Sequence, residues 1–215
     1  MSKHCCATDS NSDDAAYRKV LWAAFVINIA MFLVEAIVGI SSGSISLQAD
    51  SLDFFGDGCN YLISLYLIGK SVAMRAKGSL VKAASMVVFA VWILGQAIYR
   101  FITVSKPEAE IITTIGVVAL FANLICFYML SRFSNSDSNR LSAWLCTRND
   151  AIGNVAVIFA GIGIYFTESN LPDLIVGSVM AVIAIISAVQ ILRQAKDELN
   201  GKVSEHSHDN HGHKH

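Results

Sequence analysis

Residues 44–69 read SISLQADSLDFFGDGCNYLISLYLIG, and they decide the fold class because aspartates interrupt a segment otherwise apolar enough to cross a membrane. A second apolar segment contains DAIGN at residues 150–154. The first and last residues of DAIGN have the same i, i+4 spacing as Asp53 and Asp57, which places each pair on one helix face. A charged side chain in hydrocarbon costs at least ~2.5–3.5 kcal/mol. Its repetition at this spacing indicates a functional site.

Composition supports the membrane interpretation. The chain has 215 residues, of which 54% are hydrophobic and 15% charged, and its mean hydropathy is +0.52; soluble domains have about 25% charged residues. We expect an all-α polytopic membrane protein with six transmembrane helices in a lipid bilayer. A net charge of -1 argues against a nucleic-acid partner. The predicted spans are 17–40, 45–69, 80–103, 110–133, 142–166 and 173–195.

Basic residues predict the orientation of the chain. One set of loops and flanks is rich in them, and it contains Arg18, Lys19, Lys70, Arg75, Lys77, Lys82, Arg132, Arg140, Arg193 and Lys196. The opposite loops contain only Lys106, with Arg100 nearby. Because basic loops stay in the cytoplasm, both termini are expected to be cytoplasmic, in a multi-pass protein of the inner or plasma cell membrane.

The chain divides into a disordered cytoplasmic N-terminal tail over residues 1–16, a six-helix transmembrane domain over 17–196 and a His-rich cytoplasmic tail over 197–215. The last segment is too short for a folded domain, which needs about 50 residues. It is either a solvated, disordered end or an accessory segment that captures metal. Its histidines are His206, His208, His211, His213 and His215.

The buried polar residues fall in stripes. At about 100° per residue, the polar residues of span 2 lie within an arc of roughly 80°. Span 5 has a similar stripe, and two polar residues of span 1 share a face. The residues are Asp50, Asp53, Asp57 and Asn60 on span 2, Cys146, Asp150 and Asn154 on span 5, and Asn28 and Glu35 on span 1. We expect the three stripes to face a common interior.

Something must compensate these carboxylates. No lysine or histidine within the spans is expected to face the stripes, which leaves a bound cation or protons. The plain alternative is that the carboxyl groups are neutral and hydrogen-bond between helices. Glu35 would then lie close to water and Asn28 would join two helices, whereas Cys146 would be an auxiliary soft ligand or a small core residue.

These residues resemble a known family. NIAMFLVEAIVGISSGSISLQADSLDFFGDG, residues 28–58, is similar to the first two transmembrane helices of the cation diffusion facilitator family of divalent-metal/proton antiporters. RNDAIGNVAVIFAGIGIYF, residues 148–166, resembles the family's fifth helix. The resemblance implies a transport site of four ligands, two from helix 2 and two from helix 5. They are Asp53, Asp57, Asp150 and Asn154.

The chain departs from the family pattern in two ways. Many zinc-transporting members have histidine in one or both pairs, whereas this site has none, and Asn154 replaces the usual second aspartate. The family's cytoplasmic C-terminal domain is also expected to be missing, so a homodimer would be held through membrane helices. Asn28, Glu35, Asp50 and Cys146 are candidates for auxiliary or outer positions around the site.

The resemblance implies proton-coupled efflux of Zn²⁺, with Cd²⁺ tolerated, by alternating access rather than enzymatic catalysis. Carboxylates must lose protons to bind metal and regain them to release it. The oxygen-rich ligands favour an exporter of Mn²⁺, Fe²⁺ or Co²⁺ as an alternative, whereas the His-bearing tail favours Zn²⁺. A passive metal channel is a further alternative. An intramembrane aspartyl protease is a remote one, since the GxGD signature is absent from FFGDG.

Overall fold

The structure is a computed structural model that describes residues 6–66, 72–103, 107–133 and 138–199. All its regular secondary structure in these ranges is helical. The helices are α1 (Cys6–Ser42), α2 (Ile45–Tyr66), α3 (Val72–Thr103), α4 (Ala109–Ser131), α5 (Ser138–Thr167) and α6 (Leu171–Leu199). Six helices coincide with the six predicted spans, and the prediction of an all-α polytopic membrane protein is confirmed.

Five helices contain a stretch that is long and apolar enough to cross a membrane. These stretches are Ala15–Ser42, Lys77–Thr103, Ala109–Ser131, Asp150–Thr167 and Leu171–Asp197. The remaining helix is α2, whose three aspartates lower its hydropathy. A helix of this composition avoids the cost of exposing carboxylates to lipid only if other helices surround it.

The packing of the bundle supplies that protection, because α2 contacts all five other helices. These five form an open ring around it in the order α1, α4, α5, α6, α3. Within the described ranges, α1 and α3 do not contact each other, so the ring has its gap there. The polar stripe of α2 therefore faces protein, and apolar side chains of the outer helices, such as Ile37, Trp92 and Phe166, are exposed on the outside.

A buried carboxylate fixes the beginning of α2. Asp173, in the first turn of α6, is 1% exposed. It accepts hydrogen bonds from the backbone N–H groups of Ile45 at 2.7 Å and Ser46 at 3.0 Å, and from the hydroxyl groups of Ser44 at 2.7 Å and Ser46 at 2.5 Å. Orphan N–H groups and the positive end of the helix dipole both favour an anion at this position. Asp173 thus joins the N-termini of two helices.

Two glycines permit the close approach of chains around this joint. Gly43 has φ +73 in the turn between α1 and α2, and the guanidinium group of Arg100 occupies the place that a side chain would take. A Cβ atom on Gly177 would lie 2.5 Å from the carbonyl carbon of Ile45. The backbone of α6 therefore packs directly on the first residue of α2.

The helices differ from the predicted spans mainly at the ends that were expected to face the cytoplasm. The first helix begins at Cys6, inside the segment 1–16 that was expected to be disordered. No proline or glycine interrupts the chain before Gly39, so the helix of span 1 continues backwards without a break. Similarly, α3 begins at Val72 rather than at residue 80. The five tail histidines lie outside the described residues.

Candidate functional site

A cavity of about 610 Å³ opens between α2, α3, α5 and α6, and its wall contains the central polar residues. Asp53 and Asp57 reach it from α2, and Asp150 reaches it from α5. The i, i+4 spacing of the first pair directs both side chains to the same face of α2. The structure thus brings together the three carboxylates that the sequence predicts as ligands.

Asp57 and Asp150 lie on the same stretch of the cavity wall, close enough for their carboxyl groups to interact. The hydroxyl group of Tyr61 donates a further hydrogen bond to Oδ2 of Asp57 at 3.1 Å. Asp53 lies close enough to interact electrostatically with Asp57. These carboxyls can exchange protons among themselves and offer oxygen ligands to a cation.

Lys82 also lies on this cavity, which corrects the expectation that no lysine faces the stripes. Its side chain is only 7% exposed. Its Nζ atom donates a hydrogen bond to Oδ1 of Asn60 at 2.6 Å, and its charge interacts with those of Asp53 and Asp57. Lys82 was counted with the cytoplasmic loop charges because it lies next to the predicted beginning of span 3 at residue 80. A buried ammonium group is tolerable here because the carboxylates compensate its charge.

Asn154 is not among the residues that line the cavity. It is fully buried, and neither Oδ1 nor Nδ2 has a hydrogen-bond partner within the described ranges. It is one helical turn beyond Asp150 on α5 but does not belong to the cavity wall. Cys146 lies on the same helix, and its side chain is outside the described part of the structure. The predicted fourth ligand therefore remains a prediction, and Asn154 retains two unused polar atoms.

No metal site is preformed in the described residues, where no three His, Cys, Asp or Glu side chains are arranged to hold an ion. Carboxyl oxygens bind a metal ion only when they are deprotonated, so metal and protons would compete for the oxygens of Asp53, Asp57 and Asp150.

A second carboxyl pair lies next to the site. Glu35 on α1 and Asp50 on α2 are 0% and 1% exposed, and their carboxyl groups lie close enough to interact electrostatically. Both carboxyl oxygens of Glu35 and Oδ2 of Asp50 lack a hydrogen-bond partner in the described part of the chain. Glu35 also interacts electrostatically with Asp53. A chain of carboxyl groups therefore runs from α1 across α2 to Asp150 on α5.

Asn28 has a structural role in the described contacts. Its Nδ2 atom donates to the carbonyl oxygen of Ala24 at 2.8 Å and to Sγ of Cys126 at 3.6 Å. The second contact joins α1 to α4, as expected for an amide that links two helices. Asn28 is absent from the cavity wall, so of the span 1 candidates only Glu35 extends the carboxyl chain.

Sequence reasoning overlooked Lys82 and Tyr61 as members of the site, although the helical period would have identified both. Lys82 precedes Met86 and Ala90 by four and eight residues, and all three are buried. Tyr61 follows Asp57 by four residues and continues its stripe. Lys82 already lay within predicted span 3, but it was treated as a loop charge rather than as part of the buried face of that helix.

Comparison with known proteins gives a coherent set of relatives. The family model described as the cation efflux transmembrane domain matches residues 21–200. "Zinc transporter ZitB" of Escherichia coli (strain K12) is 28% identical over 200 residues, which cover 87% of this chain and 64% of that protein. "Cadmium, cobalt and zinc/H(+)-K(+) antiporter" of Bacillus subtilis (strain 168) is 22% identical over 199 residues, 86% of this chain and 64% of that protein. The chain thus spans somewhat less than two thirds of these relatives.

Proposed function

Because the chain belongs to the cation efflux family, we propose that it exports divalent transition-metal cations, foremost Zn²⁺, from the cytoplasm in exchange for protons. The observation that carries this proposal is the cavity wall on which Asp53, Asp57 and Asp150 meet between four membrane helices. Carboxylates buried in this way are expensive unless they bind a cation or protons. An antiporter uses both in turn.

The proposed cycle follows from the contacts of the described residues. Metal displaces protons from the carboxyl groups of Asp57 and Asp150 and takes up their oxygens. Tyr61 holds Asp57 in place through its hydroxyl group, so the carboxylate keeps its position on α2 as the partner helix α5 moves. Protons return to the aspartates on the outer side and release the metal. Glu35 and Asp50 extend the carboxyl chain by which these protons travel.

The fourth ligand of the proposed site is Asn154, whose amide has no described partner. A rotation of α5 that brings Asn154 onto the cavity would complete the ligand set of Asp53, Asp57, Asp150 and Asn154. Such oxygen-rich ligands suit Mn²⁺, Fe²⁺ or Co²⁺, whereas the names of the relatives include zinc, cadmium and cobalt. We therefore place Zn²⁺ first and Cd²⁺ and Co²⁺ next.

We further propose that both termini are cytoplasmic, as the distribution of basic residues indicates, and that the protein lies in the inner or plasma membrane of the cell. A homodimer held through membrane helices belongs to the same proposal. Mass measurement of single particles in nanodiscs would test the dimer, and a monomer mass at nanomolar concentration would contradict it.

The purified protein in liposomes with an internal pH dye tests the transport proposal. We expect saturable Zn²⁺ uptake coupled to proton movement in the opposite direction, with Cd²⁺ and Co²⁺ transported more slowly and Mn²⁺ slowest. Faster Mn²⁺ than Zn²⁺ uptake would reverse the proposed metal order. Metal flux that persists without proton counterflow would favour a passive channel and contradict the antiport mechanism.

An intramembrane aspartyl protease is the enzymatic alternative, because Asp57 and Asp150 come from different helices and line one cavity. The family to which the chain belongs argues for transport instead. Hydrolysis of a reporter peptide that is lost in Asp57→Asn would support the protease and count against the exporter.

The His-rich tail is proposed as an accessory segment that captures metal. We expect deletion of residues 203–215 to raise the Zn²⁺ concentration for half-maximal transport while leaving the maximal rate near that of the full chain. The physical reason is that the tail acts on local concentration, whereas exchange takes place at buried carboxylates. Transport rates measured against free Zn²⁺ for both proteins check this. A lower maximal rate with an unchanged half-saturation would show that the tail takes part in the conformational cycle.

A further inference from the structure

The charges on the cavity wall suggest a role for Lys82 that goes beyond the proposed ligand set. Among the residues that form this wall, the only charged ones are Asp53, Asp57, Asp150 and Lys82. When all four are ionised, three negative charges and one positive charge leave a net charge of -2. A divalent cation neutralises this charge, whereas a monovalent or a trivalent ion does not.

The position of Lys82 is fixed from two sides. Its aliphatic stem packs at Gly56, between the two aspartates of α2, where a Cβ atom would lie 3.8 Å from Cε of the lysine. Its Nζ atom donates to Asn60 at 2.6 Å. Asn60 lies three residues beyond Asp57 on the same face of α2, so this amide draws the ammonium group towards the end of the carboxylate stripe. Its charge also interacts with those of Asp53 and Asp57.

We propose that Lys82 is a specificity-determining residue of the transport site: its ammonium group is a built-in counter-charge that matches three aspartates to a divalent cation. This inference rests on the proposed function, because it assigns the same cavity to metal. A site of charge -3 would hold a divalent ion more tightly and release it more slowly. Lys82 thus weakens binding to a level from which the metal can leave, and Asn60 positions it.

The proposal predicts that substitutions of Lys82 and Asn60 change the affinity for Zn²⁺ in opposite directions. In Lys82→Gln, Zn²⁺ should bind at least ~10-fold more tightly, because a unit charge a few ångströms away acts strongly in a medium of low effective dielectric constant. Maximal transport should fall as release slows. In Asn60→Leu the ammonium group can approach the aspartates, so Zn²⁺ binding should weaken several-fold. Asn60→Leu should have no effect on affinity when Lys82→Gln is already present.

Isothermal titration of the full-length protein in nanodiscs with Zn²⁺ measures these affinities. The same titration of Asp57→Asn measures Zn²⁺ binding by the His-rich tail, and this binding is subtracted from that of each other variant. Lys82→Arg preserves the charge and should stay within about two-fold of the wild-type affinity. Lys77→Gln removes an exposed lysine five residues earlier on α3 and should leave the affinity unchanged. A trivalent ion tests the role of charge itself. Relative to the wild type, Lys82→Gln should gain more affinity for Tb³⁺, measured by its competition with Zn²⁺, than it gains for Zn²⁺.

Equal or weaker Zn²⁺ binding by a folded Lys82→Gln protein overturns the inference. If that variant does not fold, Asn60→Leu decides, because it retains the lysine and an unchanged affinity contradicts the proposal in the same way. A different result would contradict the proposed function. In that case the wild-type protein and Asp57→Asn would bind the same amount of Zn²⁺.

Discussion

Asp57→Asn is expected to lower metal–proton exchange by at least ~100-fold, since loss of even an outer-shell partner of a metal ligand costs 10–100-fold. Asp57 interacts with Asp150, accepts the hydroxyl hydrogen bond of Tyr61 and lines the cavity. Asparagine has the same shape and keeps an acceptor oxygen for Tyr61. The substitution thus removes the charge and the exchangeable proton while the packing is preserved.

Transport of Zn²⁺ and the accompanying pH change in liposomes measure the effect, together with thermal unfolding in detergent. The unfolding temperature should stay close to that of the wild type, because removing one of several mutually repelling buried carboxylates does not leave an unpaired group. Asp197→Asn, at an exposed position near the end of α6, is the matched control and should transport normally. Exchange near the wild-type rate in Asp57→Asn would refute the assignment of the site.

Asp173→Ala is expected to destabilise the fold by about 3–5 kcal/mol without removing any residue of the cavity wall. The substitution leaves the N–H groups of Ile45 and Ser46 and two hydroxyl groups without their common acceptor. Each buried donor left unsatisfied costs about 1–3 kcal/mol, and the loss of an N-cap costs about 1 kcal/mol. The total is smaller than the sum of these costs because water that enters the site can accept hydrogen bonds from some of the donors.

Denaturant unfolding in detergent, followed by tryptophan fluorescence, measures the free energy of unfolding. Asp173→Asn should fall between the wild type and Asp173→Ala, because it retains one acceptor oxygen but loses the charge at two helix N-termini. Asp197→Ala again controls for the loss of an acidic residue in α6. A free energy unchanged within 0.5 kcal/mol, about the usual effect of surface substitutions, would show that Asp173 does not hold the joint.

The sequence predicts most of the architecture because hydropathy and helical period are local properties. Six helices lie where six apolar segments were identified, and the stripes correctly grouped Asp53 and Asp57 with Asp150. The proximity of Glu35 to Asp50 was not specified, since it depends on how α1 docks on α2. The helical period placed Asn154 on the same face as Asp150, yet only Asp150 is among the residues that line the cavity.

The role of Lys82 was missed for a different physical reason. Orientation rules count lysines near span ends as loop charges, and such counting ignores that a long stem can carry an ammonium group into a protein interior. Burial of Lys82 depends on the carboxylates of α2, and a sequence window around Lys82 does not include them. The same holds for Asp173, which appears in the sequence as an ordinary acidic residue in the first turn of a helix.

The central position of α2 has a consequence for biosynthesis. This helix leaves the ribosome before α3 and α5, which carry its neutralising neighbours Lys82 and Asp150. Until those helices follow, its aspartates lack both groups, and each charged group in lipid costs at least ~2.5–3.5 kcal/mol. The nascent α2 therefore has to stay near water or protonated until α5 and α6 close around it.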